Sequence, residues 1–87
     1  MTRERWVTLR PRDQLGHIAA ELTRAALAPP NADLQRVLLE RALELIDLSL
    51  DDPRWRPTVL QLLTLRSLVA EAYLGRADAL VRALAAL

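Results

Sequence analysis

Apolar residues recur at three- and four-residue intervals along most of this chain, the spacing that lines one face of an α-helix. Over about 11–28, Leu15, Ile18, Leu22 and the pair Ala25/Ala26 form such a stripe. Pro11 suits the first helical position, and Asp13 falls in the first turn, where a carboxylate favours the helix dipole. Pro29 and Pro30 stop this helix, and Asn31 or Asp33 is placed to cap the next. A second helix is predicted over about 32–50, carrying Leu34, Leu38, Ala42, Leu45, Ile46 and Leu50. Its clear polar stripe is acidic: Glu40, Glu44, Asp47 and Asp51. Asp52-Pro53 reads as a cap followed by a single helical turn. Arg56 precedes a proline and is biased away from helical backbone. Pro57 opens a third helix over about 57–74, ended by Gly75 as a C-terminal cap. A last short helix over 77–86 presents Leu80, Val81, Leu84 and Leu87. One helix running through Gly75 is the alternative, at a cost of about 1 kcal/mol for the glycine. Residues 1–10 lack helical periodicity, so Trp6, Val7 and Leu9 are expected to pack an extended arm onto the body.

The pattern specifies an all-α fold in a single helical domain, 1–87: a bundle of three main helices plus a short C-terminal one. Short connections make neighbouring helices antiparallel. Composition agrees, with 20 leucines and 14 alanines but no phenylalanine. It also sets a limit. An 87-residue chain without cysteine buries only about 60–65% of its unfolded surface and has no disulfide to reinforce it. The apolar arcs of the second and third helices are wider than one core contact requires. Self-association follows as an expectation, most simply a twofold dimer.

Charge excludes several chemistries. The net charge is +1, and all 12 basic residues are arginine. Lysine Schiff bases and phosphate-binding P-loops are therefore ruled out; GC-rich coding explains the bias. The first residues lack the apolar stretch of a leader, and the apolar run 59–74 is interrupted by Gln61, Thr64, Arg66, Ser67 and Glu71. A cytoplasmic location is the expectation.

Four groups of residues bear on chemistry. Arg12, Asp13 and His17, the only histidine, form an Arg-x4-His pattern with a polar residue after the arginine. This resembles the motif of HEPN ribonucleases, over six residues. The resemblance implies RNA cleavage by Arg12 and His17, at a homodimer interface. The chain departs from that family in opening its first helix with the motif, and in having Ala19 where some members carry tyrosine. Five residues apart on a regular helix is also about 140° apart, so the pair diverges.

The acidic stripe of the second helix has the ligand chemistry of a hard metal ion. Yet no Glu-x-x-His motif accompanies it, so the reading is a solvated face and no cofactor. Arg66 lies opposite the polar arc of the third helix, among Val59, Leu62, Ala70 and Tyr73; Arg41 is placed similarly on the second. Such arginines need acidic partners, or anchor an interface. Trp55 between Arg54 and Arg56 has the elements of base stacking, or it caps one end of the bundle while Trp6 caps the other.

Scarce catalytic types and surplus apolar arcs favour a non-catalytic interaction module: an adaptor, regulator or antitoxin-like partner of another protein or of a second copy. Its interface set is Arg66, Tyr73, Val59, Leu62, Val69, Arg41 and Trp55. The alternatives are the Arg12/His17 ribonuclease and a nucleic-acid binder built on Arg54-Trp55-Arg56.

Overall fold

The structure is a computed structural model that describes residues 1–30 and 32–87. It is all-helical, with no strand among the described residues. The elements are α1 (Arg3–Trp6), α2 (Pro11–Leu27), α3 (Asp33–Leu50), a 3-10 segment (Pro53–Thr58), α4 (Val59–Tyr73) and α5 (Ala77–Ala85). Helix α2 packs most extensively on α3, α3 on α4, α4 on α5, and α5 returns to α2. The radius of gyration, 12.2 Å, matches the roughly 12 Å of a compact chain this long. Ile18, Leu22, Leu39, Ile46, Leu62, Val69 and Leu80 form the centre of one hydrophobic core. No helix among the described residues is long and apolar enough to cross a membrane.

Several ends follow from local chemistry. Pro11 occupies the start of α2 and Asp13 its first turn, where it pairs with Arg10 at 3.1 Å. Asp52 caps the 3-10 segment by accepting from the Arg54 amide at 3.0 Å, with Pro53 at the first position. Helix α4 ends in a Schellman motif. The Arg76 amide donates to Glu71 O and the Gly75 amide to Ala72 O, and Gly75 takes φ +106°.

Other ends differ from the sequence expectation. The arm is not extended: Thr2 Oγ1 accepts from the Arg5 amide and starts the single turn α1, which turns Trp6 into the core. Arg56 stays within the 3-10 segment, and α4 begins two residues after Pro57. Helix α3 has no side-chain cap at Ala32, and Asp33 is its first helical residue; Asn31 lies outside the described residues. Leu34 and Val81, expected on apolar faces, are exposed, because burial on α3 centres on Leu39, Ala42 and Ile46 and on α5 on Ala79, Leu80 and Ala83.

The two glycines have opposite roles. Gly16 lies mid-helix, and a Cβ there would meet nothing within 4 Å, so close helix packing does not explain it. Gly16→Ala is expected to raise stability by about 0.5–1 kcal/mol. Gly75→Ala is expected to lower it by about 1–2 kcal/mol, because its backbone conformation strains any L side chain. Urea-denaturation midpoints check both, and shifts of the same sign would contradict the assignment.

Candidate functional site

Three regions concentrate polar chemistry. The first is a buried clasp at the end of the bundle where α2 begins and α3 ends. Gln14 is fully buried at its centre. Its amide donates to Trp6 O at 2.9 Å and to Asp52 Oδ2 at 3.2 Å, and its carbonyl accepts from the Trp55 indole at 2.6 Å. Both amide protons and the carbonyl oxygen are thus satisfied. The Trp6 indole donates to Ser49 Oγ at 3.0 Å, and Ser49 donates onward to Leu45 O. Arg54 closes the clasp from outside. It pairs with Asp52 at 2.6 Å and donates to Val7 O and Leu9 O. The Arg54 side chain, with the Arg54 amide and Gln14, holds the Asp52 carboxyl well below the usual carboxylate range against the opposing effect of burial, and Asp52 in turn raises the pKa of Arg54.

Trp6 and Trp55 therefore cap the same end of the bundle, not opposite ends, since Gln14 binds both. Trp55 is buried with its indole on Gln14, and Arg54 is engaged by Asp52 and the arm.

The second region is a ladder between α3 and α4. Arg66 Nε donates to Asp47 Oδ1 at 2.6 Å, and Tyr73 Oη donates to Glu40 Oε1 at 2.7 Å. The donors are seven residues apart on one helix and the acceptors seven apart on the other, as an antiparallel register requires. The Arg36 guanidinium sits 5.4 Å from the Tyr73 ring centre, within cation–π range. Asp47 raises the pKa of Arg66. Both partners of this ion pair are half-exposed, so it contributes only about 0–1 kcal/mol and acts mainly to set register.

The third region is the outer side of α3. A groove of about 690 Å³ is lined by Arg41, Glu44, Leu45, Asp47, Leu48 and Asp51 together with Glu21 of α2 and Met1. Arg41 and Glu44 are exposed and make no ion pair with any described residue. Glu21 pairs with Arg24 through Oε1, while its Oε2 is buried without a hydrogen-bond partner. Among the described residues, no group of three or more His, Cys, Asp or Glu is arranged to hold a metal ion.

The structure does not bring Arg12 and His17 together. Helix α2 is continuous from Pro11, so the two side chains leave it about 140° apart. Both are exposed, and the His17 ring packs edge-on against Trp6 at 5.9 Å. Of the expected interface residues, Leu62, Val69 and Trp55 are buried within the chain itself. Val59, Arg66 and Tyr73 are partly covered at helix borders, and Arg41 is exposed.

Gln14 and Ser49 are polar centres that the sequence reading passed over. The signal was present: Gln14 continues the Ile18, Leu22, Ala25 stripe, and Ser49 continues Ala42 and Ile46. A polar residue on an apolar stripe marks a buried polar contact.

No protein-family model, curated protein or solved structure matches the chain.

Proposed function

We propose that this protein is a non-catalytic helical interaction module that self-associates through apolar residues on its outer helix faces. The observation that carries this reading is the exposure of large apolar side chains in rows. On α4, Leu60 and Leu63 point outward with Ser67 between them and Leu74, and Leu60 and Leu74 are 76% and 82% exposed. On α3, Leu34 and Val37 are 58% and 41% exposed. Single exposed leucines need no explanation, but rows at helical spacing do, because they form patches that association covers.

Light scattering tests this. At about 100 µM the protein is expected to show twice the chain mass of 9.8 kDa. A monomer at that concentration overturns self-association. RNA cleavage that disappears in a folded His17→Ala variant overturns the non-catalytic reading.

A further inference from the structure

We propose that the outer face of α3 is a twofold self-pairing surface, on which Arg41 of each copy meets Glu44 of the other. This inference rests on the self-association proposed above and names its face, orientation and register.

Two rows with a seven-residue repeat run along the outside of α3. Leu34, Arg41 and Leu48 form one, and Val37, Glu44 and Asp51, just past the helix end, form the other. Together they have the spacing of a coiled-coil seam. None of the six is buried within its own chain. The seam is apolar before its middle, at Leu34 and Val37, and carries the half-buried Leu48 and the exposed Asp51 after it; the middle holds one cation and one anion. Both ions lack a partner among the described residues, although they sit three positions apart on one helix.

Those charges decide the occupant. Two copies laid antiparallel about a twofold axis between positions 42 and 43 place Arg41 opposite the partner's Glu44, twice. The flanking layers place Val37 opposite the partner's Leu48, again twice. Leu34 and Asp51 meet at the solvated ends. A parallel pair would instead stack arginine on arginine and glutamate on glutamate. A uniformly basic partner would satisfy Glu44 and Asp51 but repel Arg41, and the neighbouring carboxylates Asp47 and Glu40 are already engaged by Arg66 and Tyr73. A second copy, antiparallel, supplies both signs at once, and a twofold interface demands this self-complementarity. The outer side of α4 exposes more apolar surface through Leu60, Leu63 and Leu74, but its carboxylate, Glu71, is paired with Arg76 within the chain and leaves no charge to define a partner or a register.

The experiment is a charge swap, read by sedimentation equilibrium, with circular dichroism confirming helix content. Arg41→Glu and Glu44→Arg are each expected to weaken the dimer at least about tenfold by gathering like charges at the axis. The double variant, Arg41→Glu with Glu44→Arg, is expected to restore it, which a folding defect would not do. Val37→Glu is expected to weaken the dimer without rescue. Single variants that leave the dimer unchanged, or a double variant that fails to recover, overturn this seam. If Leu63→Glu dissociates the dimer while the charge variants do not, the seam is on α4: the present inference fails and self-association stands. A monomeric wild-type protein overturns both.

Discussion

Trp6→Ala is expected to remove about 3–5 kcal/mol of folding stability, the range for truncating a buried aromatic to alanine. A domain of 87 residues holds only about 4–13 kcal/mol in total, so this one change consumes a large share. The reason is the density of contacts at one side chain. Trp6 is fully buried, its indole donates to Ser49, and its ring meets His17. Its carbonyl also accepts from Gln14, so a collapsing arm would disturb the amide that binds Asp52 and Trp55. Trp6→Phe keeps most of the volume but loses the indole donor, and is expected to cost about 1–2 kcal/mol. Urea unfolding of the three proteins measures both differences. A loss below about 1 kcal/mol for Trp6→Ala would place the arm outside the cooperative core.

The second large effect is at Asp52 and depends on pH. Asp52→Asn is expected to cost about 1.5–3 kcal/mol at neutral pH, the range for a hydrogen bond to a charged group. Asparagine still caps the 3-10 segment but gives up the charge that holds Arg54, and through it Val7 O and Leu9 O. In the folded protein Arg54 keeps the Asp52 carboxyl below its unfolded pKa of about 3.9. Its stabilisation is therefore complete above about pH 5 and falls away as pH drops through the unfolded pKa towards the lower folded pKa. The gap between wild type and Asp52→Asn is expected to be constant from pH 7 to about 5 and to narrow below about 4. Comparing the two proteins at each pH cancels the titration of the other carboxylates. A gap that stays constant to pH 2 would show that the charge on Asp52 contributes nothing.

The fold was legible because its signals are local. Apolar spacing located the three main helices and the short C-terminal one, and Pro11, Asp52-Pro53 and Gly75 marked three of the punctuations. The errors arose where the deciding contact was distant in sequence. Periodicity was silent on residues 1–10, since a single turn has too few residues to show a repeat. That turn is held by Ser49, Gln14 and Arg54, up to 47 positions away. Trp55 and Trp6 were read as capping opposite ends of the bundle; the fold directs the Trp55 indole to Gln14, which also binds Trp6 O, and so places both at one end. Arg66 drew notice as a charge on an apolar arc, and a register of seven residues against Asp47 and Glu40 was available in the sequence.

By itself, then, the sequence determined that this chain is helical, where its helices begin and end to within a few residues, and that it contains no lysine or cysteine. The first two follow from backbone preference and from a 3.6-residue repeat, each readable within one turn or one helix. The tertiary structure decided which charges are matched. It pairs Asp47, Asp52, Arg54 and Arg66 and leaves Arg41 and Glu44 exposed on the outer side of α3, without an ion-pair partner among the described residues. Pairing is set by helix register and by neighbours tens of residues away, and only the packed chain holds those distances.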